Sequence, residues 1–201
     1  MRRYHFGDEV LTMSTALAQR KKLRSKFGIG MPGDNGHIIS VARRLFEWVD
    51  APVLGGIAVH LHGGLRTTED LDLYTADRSA TAVQLGNAGA RWDAARREHI
   101  LDGVRIHTVT PDDAGHTVEK ISIIEGVRVV SLKDLIAIKL ICGLNNPGRS
   151  KDITHVEDLI LTVPLDKRFA GKLPTALRAP FKILVDGVRA NALARKNKPQ
   201  F

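Results

Sequence analysis

The segment that most constrains the fold is residues 53–74, because a glycine pair and an alternating pattern follow each other in it at short spacing. It reads VLGGIAVHLHGGLRTTEDLDLY. Gly55 and Gly56 predict a tight turn between a short strand and a short helix, since glycine adopts backbone conformations that other residues avoid. The alternation from Asp70 to Tyr74 predicts a second strand with both aspartates on one face and the leucines in the core. This order of elements indicates an α/β fold.

The two aspartates of this strand indicate a cation site. Asp70 and Asp72 would lie about 6–7 Å apart along the backbone. Two neighbouring carboxylates repel each other and lose solvation at a sheet face. A divalent cation that prefers oxygen ligands, Mg²⁺ or Mn²⁺, compensates both effects. The turn at Gly55 and Gly56 is complementary, because backbone N–H groups at a helix N-terminus attract phosphate. Together these features predict a nucleotide and metal site.

The spacing GGxAxxxHGxxRxTxDxD resembles the opening motif of the nucleotidyltransferase superfamily related to DNA polymerase β. Within that superfamily it is most similar to small bacterial nucleotidyltransferases that include abortive-infection and toxin-antitoxin toxins. Residues 131–160 resemble a second signature of the same proteins, in which a helix with a central lysine precedes an arginine, a Lys-Asp pair and another amphipathic helix. The resemblance extends over residues 37–163.

The resemblance implies a minimal nucleotidyltransferase fold, with a mixed, twisted sheet flanked by helices and followed by a C-terminal helical segment. It implies the following roles: metal ligands Asp70 and Asp72; triphosphate contacts Gly55, Gly56, Lys139 and Arg149; and Asp152 near the active site. Two of these residues also have structural roles open to them. Lys139 can be a core-edge lysine whose ammonium reaches water. Asp152 can be a helix N-terminal residue paired with Lys139 or Arg149.

Two further positions bear on the site. Arg66 has two candidate roles, either binding a triphosphate or pairing with Glu69 or an aspartate to hold the loop. The residues favour the second, and Arg66 remains a candidate nucleotide-binding residue. His107, on a strand predicted over residues 103–109, occupies the position where the family usually carries a third carboxylate. Imidazole can act as a base or a ligand but supplies no negative charge, which argues against two-metal chemistry. Asp112 and Asp113, just past this strand, are expected to cap the following turn, and replacement of the third carboxylate is their alternative role.

The distribution of charge predicts a polyanionic partner. The net charge is +8. Residues 1–30 hold seven Lys/Arg and two acidic residues, and residues 166–201 hold nine and two, whereas residues 31–165 hold 14 and 18. A metal-binding centre between basic ends suits RNA, whose phosphates are contacted mainly by lysine and arginine. Basic ends that only maintain solubility are an equal alternative.

The sequence predicts three regions: a basic extension and linker at residues 1–36, a nucleotidyltransferase domain at 37–164, and a basic helical segment at 165–201 with its helix at 181–195. Within the extension, a helix is expected around residues 11–23. The sequence further predicts a hairpin with its turn at Glu125 and Gly126, and a helix with Ser131 as its N-cap. In the C-terminal helix, the residues expected to face inward are Ile183, Leu184, Val188 and Leu193. Cys142, the single cysteine, lies in an apolar run and is predicted to be a buried small residue. With no membrane-spanning run and no signal peptide, the expected location is the cytoplasm.

The expected activity is Mg²⁺-dependent transfer of a nucleoside monophosphate from a nucleoside triphosphate to an acceptor hydroxyl. The resemblance suggests RNA, in particular a tRNA 3′ end, as acceptor and a toxin-antitoxin pair with a cognate antitoxin as context. A protein hydroxyl or a small molecule remains open as acceptor. The alternative is a catalytically degenerate protein of the same fold that binds RNA or an antitoxin partner.

Overall fold

The computed structural model describes residues 4–6, 9–11, 35–65 and 67–196 of the chain. Near the N-terminus, β1 (Tyr4–Phe6) and β2 (Glu9–Leu11) pair antiparallel as a two-stranded sheet. The helix expected around residues 11–23 lies outside the described residues, except for Leu11, which ends β2.

Seven further strands of the described chain form one mixed sheet in the order β5-β6-β7-β4-β3-β9-β8. The pairs β4–β7 and β3–β9 are parallel and the other neighbours are antiparallel. The strands are β3 (Val53–Leu54), β4 (Asp70–Tyr74), β5 (Arg91–Asp93), β6 (Glu98–Leu101), β7 (Val104–Val109), β8 (Ile121–Ile124) and β9 (Val127–Val130).

Helices flank this sheet, so the predicted class, an α/β fold with a mixed sheet and a C-terminal helical segment, is confirmed. The helices are α1 (Asn35–Leu45), α2 (Gly55–Leu61), α3 (Arg78–Asn87), α4 (Pro111–Ala114), α5 (Leu132–Asn145), α6 (Ser150–Thr162) and α7 (Thr175–Lys196). Within the described residues, no helix combines the length and apolar character needed to cross a membrane.

Strand β4 lies at the centre of the sheet, between β3 and β7. Leu71 and Leu73 are buried in the core, whereas the side chains of Asp70 and Asp72 are partly exposed on the opposite face. The alternation predicted for this strand is therefore confirmed. It fixes both carboxylates at the edge of the hydrophobic core rather than in open solvent.

The first half of helix α5 is buried almost completely, which explains how a lysine comes to lie inside the protein. Its N-cap is Ser131, as predicted, and the Ser131 side chain accepts a hydrogen bond from the backbone N–H of Asp134. The following residues 134–140 are all buried, including Lys139. Neighbouring helix α6 packs against α5 and supplies Asp152, the ion-pair partner of that lysine.

Helix α7 begins at Thr175, six residues before the expected start, and contains Pro180. A proline inside a helix removes one backbone hydrogen bond. The helix nevertheless continues because one buried stripe runs on both sides of the proline, formed by Leu177, Phe181, Val185 and Val188. Ile183 and Leu193, which the sequence places inward together with Leu184 and Val188, are 70% and 62% exposed because they fall outside this stripe. For these two residues the prediction was wrong.

Candidate active site

The parallel pairing of β4 with β7 brings His107 next to the two aspartates. Asp72 lies opposite His107, and Asp70 lies opposite Arg105. The His107 Nδ1 atom is 3.6 Å from Asp72 Oδ1 and 3.8 Å from Asp70 Oδ2. The position at which the resemblance expects a third carboxylate is therefore beside the carboxylate pair in space, although an imidazole occupies it.

Glu98 on β6 is a fourth side chain next to the two aspartates and His107, and it was not identified from the sequence. His107 Nε2 lies 2.8 Å from Glu98 Oε2, so the ring donates a hydrogen bond to a carboxylate on its far side. Glu98 is buried, with only 4% of its surface exposed. Its second oxygen, Oε1, has no hydrogen-bond partner among the described residues. The Nη1 atom of Arg96 lies 3.9 Å from this oxygen.

The glycine turn packs directly against the carboxylates. Gly55 has a φ of +67°, and a Cβ added there would lie 1.7 Å from Asp72 Oδ2. A Cβ at Gly56 would lie 2.7 Å from the Cβ of Thr68. Thr68 in turn donates a hydrogen bond from its hydroxyl to Asp70 Oδ1 at 2.5 Å. Both glycines are thus required by close approach of the turn to the strand that carries the aspartates.

A second cluster is formed by Lys139, Arg149 and Asp152. Lys139 Nζ is 2.6 Å from Asp152 Oδ1, and Arg149 Nε is 2.8 Å from Asp152 Oδ2. The Asp152 carboxylate is fully buried. Burial alone would raise its pKa, but the interactions with His155, Lys139 and Arg149 together hold the pKa well below the usual aspartate range. Asp152 therefore orients two cations and is a poor proton acceptor.

An open cleft of about 150 Å³ joins the two groups of residues. It is lined by Gly55 and Asp72 on one side and by Lys139, Arg149 and Asp152 on the other. Arg78 also reaches it, hydrogen-bonded to Asp113. Cys142 lines the cleft as well; it is half-buried, and burial raises the pKa of its thiol.

The remaining sequence candidates have structural partners or lie outside the described residues. Arg66 is not among the described residues. His62 fixes the turn before Arg66, because its Nε2 atom lies 2.8 Å from the carbonyl oxygen of Val130. Asp113 forms a capping box with Thr110 at the start of α4. This matches the capping role that the sequence predicts for it.

Comparisons with known proteins give a weak result. No family model matches the chain, and no protein of curated function matches it. Among the solved structures that match is an antigenic nucleotidyltransferase-like protein from Paracoccidioides brasiliensis. The match covers 79% of this chain and 85% of that protein's chain, with 19% sequence identity and a TM-score of 0.43. A TM-score of this size does not establish a common fold.

The donor set fits one divalent cation. Within the part of the chain that the structure describes, no three His, Cys, Asp or Glu side chains form a ready-made metal cluster. Mg²⁺ is normally bound by one or two carboxylates and completes its shell with water and substrate phosphate. Asp70 and Asp72 meet that requirement, and Gly55 leaves room beside Asp72 that any side chain would fill.

The environment of His107 predicts a pH dependence of stability. The interaction with Asp72 raises the pKa of His107 to about 9, burial opposes this, and Glu98 and Asp70 raise it further. Because this pKa is raised, protonated His107 stabilises the folded state fully below its unfolded pKa of about 6.5. This contribution to the free energy of unfolding is lost as the pH rises to about 9. In metal-free buffer, we expect the melting temperature of the wild type to fall more steeply across this window than that of His107→Gln. Equal slopes of melting temperature against pH for the two proteins would contradict a stabilising role of protonated His107.

Proposed function

We propose that this protein is a Mg²⁺- or Mn²⁺-dependent nucleotidyltransferase that transfers a nucleoside monophosphate from a nucleoside triphosphate to an acceptor hydroxyl. The observation that supports this best is the single cleft that joins Asp72 and Gly55 to Lys139 and Arg149. A carboxylate pair suited to one cation faces two fixed cations suited to phosphate. That combination is what a nucleoside triphosphate with a bound divalent cation requires.

Each group has a role in this proposal. When bound, the cation would be held by Asp70 and Asp72 and would neutralise negative charge on the phosphates. Lys139 and Arg149 bind the triphosphate and stabilise the charge that develops on pyrophosphate as it leaves. Asp152 keeps the side chains of Lys139 and Arg149 in place. The acceptor hydroxyl gives its proton to solvent and its oxygen forms a bond to the α-phosphorus, while the bond from that phosphorus to the bridging oxygen breaks and pyrophosphate leaves. The fixed geometry supplies much of the acceleration.

The proposed acceptor is RNA, in particular a tRNA 3′ end, and the proposed context is a toxin with a cognate antitoxin. The support is the resemblance of the two motifs and the basic ends of the chain. Residues 166–201 carry nine Lys/Arg and two acidic residues. In the described part of that segment, Lys182 and Arg189 are exposed on α7, and the exposed Asp186 is paired with Lys167. Lysines and arginines that contact phosphates release the counterions condensed on the nucleic acid, which favours binding at low salt.

The decisive experiment incubates the protein with total RNA, Mg²⁺ and each α-labelled nucleoside triphosphate in turn. We expect labelled RNA with at least one nucleotide, and its loss with Asp70→Ala/Asp72→Ala. The size of the labelled RNA identifies the acceptor. Label on protein, or pyrophosphate release without labelled RNA, would instead indicate a protein or small-molecule acceptor and would contradict the RNA part of the proposal.

A binding module is the second candidate function, and the observation that favours it is the His107–Glu98 pair in place of a third carboxylate. In that case the fold would bind RNA or an antitoxin without catalysis. Absence of any labelled product, together with no thermal stabilisation by any triphosphate and Mg²⁺, would favour this candidate. Stabilisation that is lost in Asp72→Asn would favour the enzyme.

A further inference from the structure

We infer that the site binds one divalent cation rather than two, and that Glu98 is the positioning residue that holds His107 in the place of a third carboxylate. The inference rests on the proposed function, because it concerns the same aspartate pair.

His107 is held from both sides. Its Nε2 atom is 2.8 Å from Glu98 Oε2, and its Nδ1 atom is 3.6 and 3.8 Å from the two aspartates. The ring therefore lies between Glu98 and the carboxylate pair. In either protonation state imidazole contributes no negative charge. Two divalent cations about 3.5–4 Å apart repel each other strongly and require bridging or additional anions. His107 cannot supply that anion.

Neighbouring carboxylates do not replace it either. Glu98 is on the far side of the ring, and Asp113 is engaged by Thr110 and Arg78. Glu98 nevertheless remains buried with one oxygen that lacks a hydrogen-bond partner among the described residues. Burial of a carboxylate with an unsatisfied oxygen opposes folding. The hydrogen bond that Glu98 accepts from His107 offsets part of this cost and fixes the imidazole ring.

The test counts bound Mn²⁺ per chain by equilibrium dialysis of the full-length protein, at saturating α,β-methylene nucleoside triphosphate. We expect one Mn²⁺ for the wild type and two for His107→Asp/Glu98→Gln, because that variant adds a carboxylate and removes the buried charge behind it. Two Mn²⁺ in the wild type, or one in a folded double variant, would overturn the inference. If the double variant does not fold, the wild-type count decides alone.

A control separates failure of this inference from failure of the proposed function. Asp70→Asn/Asp72→Asn should retain no Mn²⁺ above the nucleotide-only background. A wild type that equals this variant would contradict the proposed metal site itself, whereas a wild-type count of two would contradict only the one-cation inference.

The positioning role of Glu98 has its own readout. The imidazole N–H of His107 should give a slowly exchanging proton signal by NMR, because it is hydrogen-bonded to a buried carboxylate. The signal should persist in Glu98→Gln, whose side-chain oxygen still accepts, and disappear in Glu98→Leu. A signal that survives in Glu98→Leu would show that Glu98 does not fix the ring.

Discussion

Gly55→Ala should lower the rate of nucleotidyl transfer by about 100-fold or more, because a 1 Å displacement of a catalytic group can have that effect. The added Cβ would lie 1.7 Å from Asp72 Oδ2, so the carboxylate has to move. Alanine also tolerates the φ of +67° poorly, and we expect the free energy of unfolding to fall by about 1–3 kcal/mol. Transfer of α-label and chemical denaturation measure the two effects.

Gly89→Ala is the matched control for this substitution. Gly89 has a φ of +87°, but nothing lies within 4 Å of an added Cβ. Alanine there has a similar backbone cost, about 1–2 kcal/mol, without a clash. The control should therefore lose stability and keep its activity. Full activity in Gly55→Ala, or an equal loss of activity in both variants, would show that the approach of Gly55 to Asp72 does not matter for the reaction.

The parts of the fold that were predicted correctly are those determined by local signals. Alternation determined β4, and Ser131 with Asp134 determined the start of α5. The hairpin between β8 and β9 was predicted at Glu125 and Gly126, both of which have positive φ. In each case the residues that carry the signal are next to one another in sequence, so no knowledge of tertiary packing was needed.

Glu98 was missed because residues 91–99 carry many charges and no clear alternation. A signal was nevertheless present at Asp102 and Gly103, since an Asp-Gly pair between two apolar runs is typical of a two-residue hairpin turn. That turn places Leu101 opposite Val104, and the antiparallel register then places Glu98 opposite His107. Glu98 could therefore have been placed beside His107 from the sequence alone, by counting back from the turn.

The start of α7 could not be predicted in this way. Pro180 stops helices in isolation, and only packing on both sides of it explains why the helix continues. The same limit applies to Lys139 and Asp152. Their types and spacing suggested several pairings, but their mutual distance of 2.6 Å depends on how α5 and α6 pack.

Asp152→Ala should be the most destabilising substitution in the site. It leaves the ammonium of Lys139, whose residue is only 6% exposed, buried without its anionic partner. Removing one member of a buried ion pair costs about 3–5 kcal/mol. The pKa of Asp152 is held low, so the contribution is present at neutral pH and is lost as the pH falls below about 4. Denaturant unfolding of the wild type and Asp152→Ala, at neutral pH and below pH 4, measures this contribution.

Two further variants determine whether burial causes this effect. Lys167 and Asp186 form an ion pair at 2.7 Å whose side chains are about half exposed, so Asp186→Ala should cost less than about 1 kcal/mol. Lys139→Met/Asp152→Ala removes both buried charges and should lose less stability than the sum of the two single variants, since it leaves no buried charge unpaired. Arg149 also loses Asp152, but its side chain is 45% exposed and can be solvated. Additive losses, or an Asp152→Ala effect no larger than that of Asp186→Ala, would mean that Asp152 does not hold Lys139 in the cleft. Lys139 would then have to be oriented toward the phosphates by the substrate itself.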